Sequence, residues 1–230
     1  MESPLHYSAL PVRGQRGYTL IEILIVVAII GVLAAMAFPA LKRARASANA
    51  AKALSHLQQL ATAQNLYAND NDGKFTPIWN VDQIVWQAKL LPYLFDRLPT
   101  NEELGKIKKA KRITVFDVPE FNGTGSSIAM NWSINGKGSS GQGWEYSRMA
   151  VPRKSSIILL GEMIERNSDT MVPHDDASSS GMNAPATPGF RRDNGKRALM
   201  AFVDGHVEAL DAEALKFKGK TTANNLWRWW

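Results

Sequence analysis

The longest apolar stretch of the chain lies near its N-terminus and runs from Leu20 to Phe38, with Glu22 as its one charged residue. At about 1.5 Å of rise per residue, a helix over this stretch spans roughly 28 Å, close to the hydrocarbon thickness of a bilayer. A helix that packs on the core of a soluble protein keeps a polar face, and this stretch has none. The pattern therefore predicts a helix that inserts into a membrane.

The apolar stretch continues into a second, amphipathic half. Residues 41–67 are rich in Ala, Leu and Gln, contain no Gly or Pro, and place apolar residues at helical spacing. We expect one long helix over residues 19–69, whose outer half lays an apolar stripe on a globular domain. Gly73 follows a polar run and is a typical helix-ending residue. A calcium loop here is disfavoured, because an EF-hand register ending at Gly73 puts Ala68 at the first ligand position.

The remaining residues have the mixed pattern of a globular head. Residues 82–95 predict a short helix that is broken near Pro92, and residues 101–110 form a weaker helical stretch. Three further runs have the composition of strands. These predicted strands are Arg112–Val118, Ser127–Ile134 and Ser155–Leu160.

A hairpin is predicted near the C-terminus. Two apolar runs between Ala198 and Leu210 flank Asp204-Gly205, a pair that suits the positive φ angles of a tight turn. A literal GxGxxG occurs at residues 136–141, but no helical pattern follows it, so it gives no support for a phosphate site. Residues 166–195 are polar and rich in Ser, Pro and Gly, which is typical of a long surface loop.

Composition restricts the chemistry. The chain has no cysteine, which excludes disulfides and thiolate metal sites. Its formal charge of +6 suggests an anionic partner, but much of the excess lies in one acid-free stretch that holds Lys42, Arg43, Arg45 and Lys52. The four histidines occur without HExxH, P-loop or GxSxG patterns, so the chain is not expected to be an enzyme.

Three interpretations of the N-terminal segment compete. Ala35-Met36-Ala37 offers a small-x-small site for ordinary signal peptidase, which would remove the apolar helix. A plain signal anchor would keep the helix but leaves Glu22 unexplained. A carboxylate inside a spanning helix costs about 2.5–3.5 kcal/mol, less near a helix end, and therefore asks for a partner.

The third interpretation supplies that partner. Gly17-Tyr18-Thr19-Leu20-Ile21-Glu22, behind a basic leader, resembles the prepilin peptidase site of type IV pilins and type II secretion pseudopilins. The resemblance implies cleavage between Gly17 and Tyr18, methylation of the new Tyr18 amine, and a pairing of Glu22 with the amine of a neighbouring subunit that sets subunit register. A buried amine and a buried carboxylate are each costly alone and tolerable as a pair. Pro39 matches the family's helix-kinking proline.

The C-terminal part extends the resemblance to pilin-like proteins with a domain named for a His-x9-Asp-Gly motif. Asp204 and Gly205 match and imply a structural turn, and the role of His206 is left open. Asn194 stands ten residues before Asp204, where the group carries histidine.

The polar regions suggest two other classes of ligand, calcium and nucleic acid. Asp175 or Asp176 is a candidate calcium ligand, since major pseudopilins hold calcium in a C-terminal loop; a solvated loop is the favoured alternative. Nucleic acid is not expected as a partner, because no stacking aromatics interleave with the basic residues beyond the apolar stretch. Those cations are expected to meet lipid headgroups or neighbouring stems.

The sequence thus predicts an α+β, pilin-like fold: a long N-terminal helix packed on a small antiparallel sheet with extended loops. Its expected parts are a leader (1–17), the membrane and assembly half of the helix (18–39), the exposed half (40–69) and a head (70–230). The predicted function is a structural pseudopilin or minor pilin in the bacterial inner membrane, with its leader cytoplasmic and its head outside. Expected partners are prepilin peptidase, other subunits, an assembly platform and membrane lipid. The alternative is a membrane-tethered module that binds glycan or DNA and never polymerises.

Overall fold

The computed structural model describes residues 18–77, 86–95, 97, 100, 102, 113–120, 127–131, 151, 153–163, 170–171 and 188–215. The chain divides into two compact units, one up to Ala46 and the other from Ser47 onward. The predicted leader, the GxGxxG stretch and most of the predicted 166–195 loop lie outside the described residues.

One long helix, α1, runs over Leu20–Asp70, as the hydrophobic pattern predicts. Its end is closed by the Gly73 N–H, which donates to the Ala68 carbonyl at 2.7 Å. Gly73 has φ 77°, a conformation that glycine adopts without steric cost and that satisfies a helix-end carbonyl. Pro39 lies inside α1 and does not end it. The size of any bend at Pro39 stays a prediction.

A second helix, α2, covers Trp86–Phe95 and packs in the head. It continues for three residues past Pro92, so the predicted break at that proline is wrong. A 3₁₀ turn follows at Thr114–Phe116 where a strand was predicted. The apolar side chains of that run are nonetheless buried, and His56 of α1 holds the segment by donating from Nδ1 to the Asp117 carbonyl at 2.6 Å.

The head contains one five-stranded sheet with order β3-β1-β2-β4-β5. The strands are β1 Ile128–Asn131, β2 Ile158–Glu162, β3 Thr170–Met171, β4 Arg197–Phe202 and β5 Val207–Asp211. Four of them pair antiparallel, and the two-residue β3 pairs parallel to β1. The predicted α+β fold, with a long helix and a small antiparallel sheet, is therefore confirmed, and the parallel pairing adds to it.

Alternate residues of the strands divide between two hydrophobic clusters. In β4, Leu199 and Ala201 belong to the larger cluster, which also contains buried residues of α1 and α2. Met200 and Phe202 belong to a smaller cluster together with Leu215. Because side chains alternate across a strand, both faces of the sheet are covered. The predicted apolar stripe of α1 supplies Ala53, Leu57, Leu60 and Ala61, each fully buried.

Candidate functional site

Reciprocal hydrogen bonds between Thr19 and Glu22 close the first turn of α1. The Thr19 backbone N–H donates to Glu22 Oε2 at 2.8 Å, and the Thr19 hydroxyl donates to the same oxygen at 2.9 Å. In return, the Glu22 N–H donates to Thr19 Oγ1 at 3.3 Å. This arrangement is a capping box: it satisfies two of the N–H groups that a helix start leaves open, and it puts a carboxylate at the positive end of the helix dipole.

The sequence interpretation did not predict that Thr19 pairs with Glu22. The cost of a carboxylate in a spanning helix predicts a partner for Glu22, and the family resemblance implies that this partner lies on another subunit. The structure provides a partner within the chain, three residues away. The pattern Thr-x-x-Glu directly before an apolar run was the signal that could have found it.

Apolar surface surrounds the capping box. Tyr18 and Leu20 are 84% and 85% exposed, and a shallow groove beside the box is lined by Tyr18, Thr19, Leu20, Ile23, Leu24 and Val27. Farther along, the large apolar side chains up to Leu41 are all at least half exposed. Among the described residues, α1 is the one helix long and apolar enough to cross a membrane, and its most apolar part is not buried by the rest of the chain. Exposure of this extent calls for a lipid or protein environment.

The structure positions some of the other predicted site residues. Tyr18 directly precedes the capping box, so a cut before it would create an amine next to Thr19 and Glu22. Gly17, the other side of the predicted cut, lies outside the described residues. Asp175 and Asp176 lie outside them as well, and a calcium role for either stays a prediction. Within the described residues, no group of three or more His, Asp or Glu side chains could hold a metal ion.

The predicted hairpin joins β4 to β5, and its geometry differs from the two-residue turn that the Asp-Gly pair suggests. The Gly205 N–H donates to the Phe202 carbonyl, and the Phe202 N–H donates to the His206 carbonyl, both at 2.9 Å. Gly205 has φ 97°, and Asp204 is not in a positive-φ conformation. This is the pattern of a three-residue loop whose last residue is left-handed. The turn assigned to Asp204 and Gly205 exists, with only the glycine requiring a positive φ.

His206, which follows Gly205, contacts Asp204 and Phe202. Asp204 Oδ1 accepts from the backbone N–H of His206 at 3.2 Å and lies 2.6 Å from its Nδ1. The His206 ring stacks on Phe202 with centroids 4.2 Å apart and an interplanar angle of 7°. Asn194, at the position of the missing histidine, has φ 59° in the turn before β4. Asn tolerates that conformation better than most residues.

A buried ion cluster in the head was not predicted. Glu162 at the end of β2 is fully buried; one carboxylate oxygen pairs with Arg192, and the other accepts the Leu199 N–H at 3.0 Å. Arg192 also pairs with Glu120 at 2.7 Å. Burial raises the pKa of Glu162 above its usual 4.5, against the opposing effects of Arg192 and the Leu199 N–H. Burial opposes the charge of Arg192, but its bonds to Glu120 and Glu162 raise its pKa.

Comparison with known proteins relates the N-terminal segment to a defined family. Residues 12–38 match the model of the prokaryotic N-terminal methylation motif. The chain is 39% identical over 80 residues to the type II secretion system core protein G of Escherichia coli K12, covering 35% of this chain and 54% of that protein. It is 46% identical over 57 residues to the type IV major pilin protein PilA of Myxococcus xanthus, covering 25% of this chain and 26% of the relative.

A third relative is also a pilus protein that the chain matches over part of its length. The type IV wide pilus major component PilA4 of Thermus thermophilus is 43% identical over 60 residues, 26% of this chain and 46% of that protein. The chain thus spans about half the length, or less, of these three relatives. No solved structure matches the chain.

Proposed function

Since its N-terminal segment is similar to that of type IV pilins and a type II secretion core protein, we propose that this chain is a structural subunit of a pseudopilus or a type IV pilus-like filament. The proposal includes cleavage between Gly17 and Tyr18 by prepilin peptidase and methylation of the new Tyr18 amine. The subunit waits in the bacterial inner membrane with its head outside, and an assembly platform adds it to the filament. It carries no catalytic activity.

The observation that carries the proposal is the Thr19–Glu22 capping box on an uncovered apolar helix. A carboxylate in a spanning helix costs less when hydrogen bonds satisfy it, so the box lowers the cost of holding Glu22 in an unassembled subunit. The carboxylate still lacks a cation among the described residues. The methylated amine of a neighbouring Tyr18 has the charge that Glu22 needs, and the apolar groove beside the box offers a neighbouring helix a surface to pack on.

Two interactions between subunits then account for assembly: packing of the apolar helices and pairing of an amine with a carboxylate. Contact between the exposed apolar helices supplies most of the stabilisation, since dispersion and lipid release act along their whole length. The pairing of amine and carboxylate fixes the stagger, because any other register leaves two charges unpaired in an apolar environment. A contact of this kind between different surfaces of identical subunits builds an open helical array.

The first test determines the mature N-terminus by mass spectrometry of the protein from cells that contain prepilin peptidase. We expect a chain that begins with N-methylated Tyr18. A chain that begins at Phe38 would mean that ordinary signal peptidase removed the apolar helix, and the proposal would be wrong.

The second test separates the charge of Glu22 from its capping role. Glu22→Gln keeps an acceptor for the Thr19 N–H but removes the charge, and we expect it to insert in the membrane and fail to assemble. Thr19→Val is the matched control: it loses the hydroxyl bonds, keeps the charge and should still assemble. Filaments sheared from cells are quantified against membrane-bound subunit. Normal assembly of Glu22→Gln would refute the pairing, and absence of cross-links between wild-type helices would favour the tethered module that binds glycan or DNA.

A further inference from the structure

We propose that Lys42, Arg43 and Arg45, here named the basic collar, bind headgroups of anionic phospholipids in the leaflet where the apolar helix ends. The inference rests on the proposed membrane insertion and specifies the headgroup charge of the lipid and the residues that bind it. All three side chains are exposed on α1. No acidic residue occurs between Glu22 and Asp70, and within the described part of the chain no carboxylate pairs with the collar.

The depth of the basic collar matches the headgroup layer. The apolar stretch ends at Phe38, and the three cations follow four, five and seven residues later. A helical rise of about 1.5 Å per residue places their Cα atoms roughly 6 to 10.5 Å beyond Phe38. The polar layer on each side of the hydrocarbon core is about 5–8 Å thick. Helical side chains lean toward the N-terminus, which here brings the charges back toward the membrane.

Lys42 gives direct evidence of that direction. Its Nζ lies 4.8 Å from the centroid of the Phe38 ring, one turn nearer the apolar stretch. The ammonium group therefore lies near the level of Phe38, the last residue of the apolar stretch. This is the conformation in which a lysine at a membrane boundary reaches a phosphate.

The arrangement favours lipid over nucleic acid. At 100° per residue, the three side chains spread over roughly half of the helix circumference and would contact separate headgroups. A nucleic-acid groove needs cations that follow one backbone, with aromatic side chains available for stacking. Phe38 is the aromatic residue next to the basic collar, and its ring is already in contact with the Lys42 ammonium group.

The test uses the full-length chain reconstituted in phosphatidylcholine vesicles. Electron paramagnetic resonance measures how strongly spin-labelled phosphatidylglycerol and spin-labelled phosphatidylcholine associate with it. One cation near an anionic headgroup contributes about a fivefold preference, so we expect phosphatidylglycerol to be favoured about fivefold at low salt. The preference should fall toward one in the triple variant Lys42→Gln/Arg43→Gln/Arg45→Gln, and in about 1 M NaCl, where the screening length is about 3 Å.

A charge-matched control removes three other exposed lysines, as Lys52→Gln/Lys154→Gln/Lys196→Gln, and should keep the preference. Equal loss in both triple variants would mean that net charge, not the collar, attracts the lipid, and would overturn the inference. So would an inserted wild-type chain without preference, or binding of duplex DNA through the collar in place of lipid. A chain that alkaline carbonate extracts from the vesicles would instead refute the membrane insertion on which the proposed function depends.

Discussion

Replacing Glu162 by Ala is expected to destabilise the head more than replacing Glu120, the other carboxylate that pairs with Arg192. The fully buried carboxylate has two partners, the Arg192 guanidinium and the Leu199 N–H. Its loss leaves a buried cation with one remaining partner, Glu120, and leaves a buried N–H without its acceptor. Breaking a buried pair costs about 3–5 kcal/mol, and the remaining Glu120 argues for the lower end, about 3 kcal/mol.

The assay is urea unfolding of the full-length chain in detergent micelles, followed by tryptophan fluorescence. All seven tryptophans lie beyond residue 77, so the signal reports the head and not the apolar helix. Glu120→Ala is the matched control, because it removes the other carboxylate of Arg192 at a position 28% exposed. A partly exposed pair contributes about 0–1 kcal/mol. If Glu120→Ala costs as much as Glu162→Ala, or if Glu162→Ala costs under about 1 kcal/mol, the buried cluster does not have the role assigned to it.

Three further predictions concern the stability of the head, measured by the same unfolding assay. Leu57→Ala should cost about 2–5 kcal/mol because Leu57 is fully buried, and the partly buried Leu54→Ala should cost clearly less; equal costs would contradict the core packing. Gly205→Ala should cost about 1–2 kcal/mol because its φ of 97° strains an L-residue, whereas Glu208→Ala on the exposed side of β5 should be near neutral. Burial raises the pKa of Glu162, so the folded head binds a proton at this carboxyl more tightly than the unfolded chain does. The resulting contribution to the unfolding free energy is full below about pH 4.5 and is lost as pH rises through the raised pKa. Glu162→Gln should remove this decline, and an unchanged pH profile of the unfolding free energy would contradict the prediction.

Local patterns determined the N-terminal part of the protein. Each of its features depends on residues that are close together in the sequence. These features are the apolar stretch, the helix end at Gly73 and the order of residues from Gly17 to Glu22. The motif match over residues 12–38 agrees with that interpretation, and α1 follows the predicted bounds to within one residue. The hairpin at Asp204-Gly205 was predictable for the same reason, since a turn is set by its own residues.

The errors arose where a local pattern had more than one packed solution. Arg112–Val118 has the apolar content of a strand, but Thr114–Phe116 forms a 3₁₀ turn in which Val115 and Phe116 are buried. The Asp117 carbonyl that follows the turn accepts a hydrogen bond from His56, 61 residues earlier. Pro92 weakens a helix in isolation, yet α2 passes through it while Leu90 and Leu91 are fully or almost fully buried. Burial in the head outweighs local preference in both segments.

The sequence by itself determined that an apolar helix carries a carboxylate behind a Gly17-Tyr18 pair that resembles a processing site, because those features depend on residue type and spacing alone. The sequence also contains the Thr-x-x-Glu pattern of the capping box, in which Thr19 and Glu22 are three residues apart. Only the tertiary structure decided the strand order and the pairing of Glu162 with Arg192, 30 residues apart. No periodicity specifies which buried carboxylate meets which guanidinium, since that choice depends on how the strands align and on which charges lose their water together.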